Sequence, residues 1–274
     1  MKKGIWVNLL VFIVFIVLTV VLFKTNILYG LIFLLAIIIL FAFVKRAAIL
    51  ALIGRTNYFK GNIEKGLSWF EKAYRTGVAK PKTIISYAYL LLKSGNIKDS
   101  ERILENLLRS RLETDERMLA KSNMALVEWK KGELDNAIAT LEEVISDFET
   151  TNIYGSLGYM LIQKGDLDKA LEFNLKAYDY NSSNTIILDN LGQNYYLRQE
   201  YDKAANIYES LMEQNPSFPE AYYNYGLVLK AKNDNVKALE MAKKALDYKI
   251  SFLSTIKKEH IDKLIDDLES ISGV

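Results

Sequence analysis

One interval recurs along the chain: a residue suited to a tight turn, followed five positions later by a small residue. Gly61 precedes Gly66, Gly95 precedes Ser100, Gly132 precedes Ala137 and Gly165 precedes Ala170. Gln199 with Ala204 and Asn233 with Ala238 continue the series. Successive turns are 34, 37, 33, 34 and 34 residues apart. A period in this range signals a helical solenoid, because one helix pair cannot bury its apolar face alone and must stack on its neighbours. The fullest copy lies between Ile186 and Pro216. Leu188, Leu191, Gly192 and Tyr195 recur there at helical spacing, Tyr201, Ala204, Tyr208 and Leu211 do so again, and Asn215-Pro216 ends the run.

Small residues fall where paired helices must touch. Ile53-Gly54, Tyr87-Ala88, Met124-Ala125, Leu157-Gly158, Leu191-Gly192 and Tyr225-Gly226 occupy one position on the first helix of each pair. Gly66, Ser100, Ala137, Ala170, Ala204 and Ala238 answer them from the second, and Phe70, Leu104, Leu141 and Tyr208 stand where neighbouring units meet. In this arrangement each unit resembles the tetratricopeptide repeat (TPR), over residues 47 to about 250. Asn174 and Ala242 depart from the large apolar residue of the pattern, so the fourth and sixth units are expected to pack less well. Proline closes the fifth unit, with Pro81 slightly displaced after the first. An array of this kind needs a capping helix, and Ile256, Ile261, Leu264, Ile265, Leu268 and Ile271 form one apolar stripe against a charged remainder. His260 beside that stripe reads as a packing or surface residue rather than a ligand.

The N-terminal segment has a different character. Residues 5–23 and 27–44 carry no charge, and only Lys24-Thr25-Asn26 separates them. Each is long enough as a helix, at about 1.5 Å per residue, to cross a hydrocarbon core of about 30 Å. The first run is too long for the apolar part of a cleaved signal peptide, and no small-x-small cleavage pattern follows it. The expectation is a two-helix transmembrane hairpin. Lys2 and Lys3 before it, and Lys45, Arg46 and Arg55 after it, outweigh Lys24 in the turn, which predicts a cell-membrane protein with both termini cytoplasmic. Trp6 and Tyr29 suit interfacial anchors, and Asn8 and Thr19 are too few polar groups for an ion path, so the hairpin reads as an anchor. From Lys45 to Asn57 no proline intervenes, which raises the prospect of a stiff helical coupling into the first repeat.

Composition excludes several classes. There is no cysteine and one histidine, which removes disulfides, thiol nucleophiles and His-based metal clusters. The first 46 residues hold five Lys/Arg and no Asp or Glu, leaving 30 basic against 33 acidic residues in the remainder, so no basic face for nucleic acid is indicated. No glycine-rich phosphate loop or paired catalytic carboxylates are apparent, and the chain is not read as an enzyme. No cofactor, metal or small-molecule substrate is predicted.

The resemblance implies a superhelix whose concave face, lined by the first helix of each pair, accepts a peptide. The candidate groove comprises Tyr89, Asn123, Trp129, Tyr159, Asn190, Gln193, Tyr196, Tyr223 and Asn224, with Lys130, Gln163 and Lys230 near them. Ser86, Asn123, Ser156, Asn190 and Asn224 share one register, and an asparagine amide can pair with any peptide backbone. The paired basic residues of the subgroup that clamps chaperone C-terminal carboxylates are missing, while Asp189 and Glu220 lie among the inward positions. The sequence thus describes an all-α chain: transmembrane hairpin 1–46 (spans 5–23 and 27–44), α-solenoid of about six TPR-like helix pairs over 47–252, and capping helix over 253–274. Its expected role is a membrane-anchored scaffold for a protein or peptide partner. The alternative is a structural or assembly subunit whose hairpin packs in a larger membrane complex for transport or envelope synthesis.

Overall fold

The computed structural model describes residues 2–272, with side chains from Ile13 to Ile271. Among them there are fifteen α-helices and no strands. The chain divides into two compact units, 1–83 and 84–274.

In the first unit, α1 (Lys2–Thr25) and α2 (Ile27–Val44) are joined through Asn26, whose side chain accepts from the Leu28 N–H at 2.8 Å and so starts α2. Phe15 packs beside Phe33, with ring centroids 6.3 Å apart, and Phe23 closes over Gly30, so the two helices run antiparallel. Helix α2 is long and apolar enough to cross a membrane, and within α1 the described apolar stretch is Ile13–Thr25. The side chains of residues 5–12, including Trp6 and Asn8, lie outside the described residues. Lys45 alone interrupts the passage from α2 into α3 (Arg46–Phe59), and the i→i−4 bonds Lys45 N–H to Phe41 O and Ile49 N–H to Lys45 O carry the ladder through it. Helix α3 pairs with α4 (Ile63–Arg75) through Gly54 and Gly66, where a Cβ would stand 2.9 Å from Phe70 and from Tyr58 respectively.

The second unit continues the pattern with α5 (Pro81–Lys93) and α6 (Ile97–Leu108), α7 (Thr114–Lys130) and α8 (Leu134–Asp147), α9 (Thr151–Lys164) and α10 (Leu167–Tyr180). There follow α11 (Thr185–Leu197) and α12 (Tyr201–Glu213), α13 (Pro219–Ala231) and α14 (Asn235–Ala245), and finally α15 (Lys258–Ser272). Side-chain caps begin several of these helices: Asn184 accepts from the N–H groups of Ile186 and Ile187, and Asp166 and Asp234 accept from those of Lys169 and Lys237.

All six turn residues of the sequence register have positive φ: Gly61, Gly95, Gly132 and Gly165 at 86° to 93°, Gln199 at 63° and Asn233 at 64°. A left-handed residue after the last helical turn lets the next two N–H groups return to otherwise orphaned carbonyls. Gln199 N–H donates to Tyr196 O and Glu200 N–H to Tyr195 O, both at 2.9 Å, and the same double closure recurs at Gly61, Gly95, Gly132 and Asn233. The small residues of both registers are buried at every pair. Gly192 is the tightest case that an apolar side chain enforces in this unit, since a Cβ there would meet the fully buried Tyr208 ring at 2.6 Å.

The two departures from the large-residue pattern have different outcomes. Asn174 is fully buried, its Nδ2 reaches Gly158 O at a long 3.5 Å, and its Oδ1 finds no hydrogen-bond partner among the described residues. Such a group costs about 1–3 kcal/mol, so the fourth pair carries a defect. Ala242 is fully buried beneath α15, whose Leu264 also covers Gly226, so the helix that follows compensates for the missing bulk at the sixth. Helix α15 lays Ile261, Leu264 and Leu268 into the terminal core, while Lys230–Asp267 and Lys243–Glu269 pair at its edges. Exposed His260 serves its N-terminus, where Nδ1 accepts from the Lys257 N–H at 3.3 Å.

A ladder of ion pairs joins neighbouring pairs on the side of the turns: Lys131 with Glu101, Lys164 with Asp135, Arg198 with Asp168 and Lys232 with Asp202. In each, a basic residue near the end of a first helix reaches an acid at the start of the preceding second helix. Side chains exposed to this degree fix register more than they add stability.

Candidate interaction face

The first helices α7, α9, α11 and α13 each present a half-buried aromatic residue: Trp129, Tyr159, Tyr196 and Tyr223. Trp129 meets Tyr159 edge-on with centroids 5.6 Å apart, and its indole N–H donates to Gln163 Oε1 at 2.6 Å. The Lys130 ammonium lies 3.9 Å from the Trp129 ring centroid, a cation–π arrangement. Burial pushes the Lys130 amine below its ordinary pKa, and the Glu220 carboxylate opposes that shift. Burial likewise raises the phenols of Tyr159, Tyr196 and Tyr223, and the field of Tyr196 is felt at Tyr223. Gln193 is half-buried on α11, and Tyr89 and Asn123 are half-buried on α5 and α7. Tyr223 faces α15 as well, its ring 6.5 Å from that of His260.

Asn190 and Asn224 do not read a ligand backbone in this structure. Both are buried, and each reaches back 35 residues to the preceding unit. Asn190 Nδ2 donates to Gly155 O at 2.7 Å, and Asn224 Nδ2 donates to Asp189 Oδ1 at 3.1 Å. Gly155 and Asp189 are equivalent positions: where no side chain stands, the amide takes the main-chain oxygen, and where a carboxylate stands it takes that. The shared register is therefore an inter-unit bond, and the amide that suits a peptide backbone is engaged by the fold's own.

Asp189 sits at the centre of a buried polar cluster whose role the inward position alone did not reveal. Its Oδ1 accepts from Asn224 and from the Tyr208 hydroxyl at 3.0 Å, while that hydroxyl also lies 3.2 Å from Asp189 O. Burial lifts the carboxyl to a pKa of about 7, the Glu220 charge adds to the rise, and the two donors restrain it. The periodicity places an acid here, and only the packing of Tyr208 and Asn224 around it makes it buried. Among the described residues no group of three or more His, Cys, Asp or Glu could hold a metal ion.

A further element on this face comes from outside the repeats. Residues 246–257, between α14 and α15, fold back over the first helices. Phe252 N–H points to Lys93 O at 3.4 Å, and its ring rests 3.6 Å from where a Gly95 Cβ would lie and 5.4 Å from the Lys130 ammonium. Lys130 Nζ donates to Ser254 O at 3.4 Å, Thr255 N–H donates to Glu220 Oε1 at 3.0 Å, and the nearby Thr255 side chain restrains the rise of the Tyr159 phenol. Sequence reasoning divided this stretch between the last repeat and the cap. Its lack of helical periodicity was the available signal that it is neither.

Comparison with known proteins agrees with this architecture. A tetratricopeptide repeat model matches residues 88–151, 122–184 and 190–250, together more than half of the chain. The TPR repeat-containing protein YvcD of Bacillus subtilis is 25% identical over 174 residues, which is 63% of this chain and 36% of the relative. The TPR repeat-containing protein MJ1428 of Methanocaldococcus jannaschii is 24% identical over 164 residues, 59% of this chain and 28% of the relative. The matched stretch thus spans about a third of the length of these relatives. Among solved structures, a tetratricopeptide repeat protein from Parabacteroides merdae superposes with a TM-score of 0.65 at 15% identity, covering 82% of this chain and 84% of that one. A thermophilic TPR protein from Thermus thermophilus gives 0.56 at 16% identity, covering 69% and 98%. At these identities the likeness speaks to the fold. The matching family describes a structural repeat and indicates no catalytic domain.

Proposed function

The chain belongs to the tetratricopeptide repeat family, and on that premise we propose that it is a membrane-anchored scaffold that holds a protein or peptide partner on the concave face of its solenoid. The observation that carries this reading is the series Trp129, Tyr159, Tyr196 and Tyr223, one aromatic on each of four successive first helices, with Lys130 and Gln163 engaging Trp129 and Gln193 half-buried on α11. Aromatic side chains with polar tips offer large contact area at small entropic loss, the composition that interfaces favour. Tyr89 and Asn123 extend the face, and Asn190 and Asn224 support it from behind.

Anchoring to the membrane draws on α2, which is long and apolar enough to span, and on the apolar stretch of α1 packed against it. Helix α3, which follows after one residue, leaves Leu52 65% and Phe59 77% exposed beside Arg55 and Lys60. That combination suits the headgroup layer of a cytoplasmic leaflet. The solenoid would then face the cytoplasm and gather its partner at the bilayer.

A photo-crosslinking residue at Tyr196, in chain expressed in its own membrane, tests the scaffold. One dominant partner, lost when Trp129 and Tyr159 are both replaced by Ala, is expected; a yield unaffected by those replacements sinks the reading. A reporter fused after Val274 tests the orientation and is expected to be active only from the cytoplasmic side.

A further inference from the structure

Residues 251–255 contact only first helices or their C-terminal turns in the interactions described above. They touch Lys93 and Gly95 at the end of α5, Lys130 at the end of α7, Tyr159 midway along α9 and Glu220 at the start of α13. That diagonal path crosses the face proposed to receive a partner. The segment meets it as a bound peptide would: one main-chain N–H and one main-chain carbonyl engage Glu220 and Lys130, and one aromatic ring rests on the Lys130 ammonium. A cap linker that merely connected α14 to α15 has no need of Lys93.

The two ends of the segment are secured differently from its middle. Tyr248 stacks on Tyr222 at 5.0 Å, with their hydroxyls 3.1 Å apart, and Ile250 packs against the terminal core. Ile256 is buried in that same core. Between these anchors Phe252 remains 39% exposed, and the hydrogen bonds at Lys93 and Lys130 are both long, at 3.4 Å. A stretch with few buried contacts between fixed ends opens locally without unfolding what it joins. It also returns readily, because a short tether holds it at an effective concentration on the order of millimolar.

We infer that residues 251–255 are an intramolecular occupant of the partner-binding face, and that the partner displacing them is an uncharged segment that forms a turn, as 251–254 do through Ser254 N–H to Ser251 O, and bears an aromatic side chain three residues before a main-chain N–H directed at Glu220. This rests on the reading of that face as a peptide site and adds the ligand's chemistry and a built-in competitor. The apparent affinity for the partner falls by the fraction of molecules whose face is open, so a strap seated nine-tenths of the time weakens binding about tenfold. Selectivity follows too: a ligand that cannot match Phe252 and Thr255 does not displace them.

The test uses the full chain in detergent micelles and a labelled synthetic peptide of residues 249–257, acetylated and amidated, titrated to millimolar concentration. Phe252→Ala removes the exposed ring, and Thr255→Pro, as a second variant, removes the N–H that reaches Glu220. Helix content should be unchanged, amide exchange in 246–257 should rise, and the variants should bind the peptide more tightly than the wild type, by up to about tenfold for a strap seated nine-tenths of the time. Conversely, Lys93→Cys with Phe252→Cys in this cysteine-free chain, joined by a short bis-maleimide, should abolish binding. Equal peptide affinity in wild type and freed variants, or no rise in exchange, overturns the inference while partner capture at Tyr196 still upholds the scaffold. If the freed variants bind no peptide the inference falls, and loss of capture at Tyr196 as well brings down the scaffold reading with it.

Discussion

Asp189→Asn isolates the buried carboxyl at the junction of the fifth and sixth pairs. In the fold the carboxyl titrates near 7, against an ordinary value of 3.8. Folding therefore favours its protonated form. The stabilising effect of that uptake is full below about 4 and is lost as pH rises through about 7. Each pH unit in the window is worth about 1.36 kcal/mol, so the wild type forfeits about 4 kcal/mol across it through this one group. Asparagine keeps an oxygen to accept from Tyr208 and Asn224 and never ionises. The variant should match the wild type near pH 4 and exceed it by about 4 kcal/mol at pH 8. With a denaturant slope of about 3 kcal/mol per molar urea, that separates the midpoints by roughly 1 M. Urea unfolding of both proteins, followed by circular dichroism from pH 4 to 8, reads the difference, in which carboxylates remote from Asp189 cancel and only Glu220, which feels its charge, does not. Parallel curves would mean that Asp189 ionises at its ordinary pKa and that the surrounding donors outweigh burial.

Three further substitutions test the packing. Asn174→Leu replaces a buried amide that lacks a partner for Oδ1 by a side chain of similar shape, and should stabilise the chain by about 1–2 kcal/mol in thermal unfolding. Gly192→Ala puts a methyl 2.6 Å from the Tyr208 ring and should destabilise by about 1–3 kcal/mol, a loss that Tyr208→Leu in the same chain partly reverses. Gln199→Gly relieves a left-handed residue that carries a Cβ and should stabilise by about 1 kcal/mol, whereas Gln199→Val should destabilise.

The helical pairing was legible because its determinants are local and repeated. A turn residue and a small residue five positions on must coexist for two helices to close on each other, and every one of the six turns carries the positive φ that this demands. The bonds made by Asn190 and Asn224 were not legible, for the opposite reason. Their position on the helix was right, but their partners lie 35 residues back, and whether a polar side chain turns to the ligand side or to the neighbouring unit is decided by what that neighbour offers. The segment over the face was invisible on the same grounds: Phe252 meets Lys93 and Gly95, more than 150 residues earlier, and no periodicity encodes such a contact. The defect at Asn174 was legible, since a polar residue in an apolar register has few ways to be satisfied.

The 35-residue reach of the asparagines bears on how an array like this gains and loses length. Excision of 34 residues, 185–218, would bring Asn224 to the place of Asn190, opposite Gly155, whose carbonyl already accepts an asparagine amide. The junction would re-form with its bond intact, and Asp189 and Tyr208 would leave together, stranding neither. For the asparagine bonds between units, the fifth unit is thus a cassette that can leave without breaking the series. Recombination between similar coding repeats can drop or duplicate it, and the number of aromatic stations offered to a partner can change by one without a new interface having to be invented.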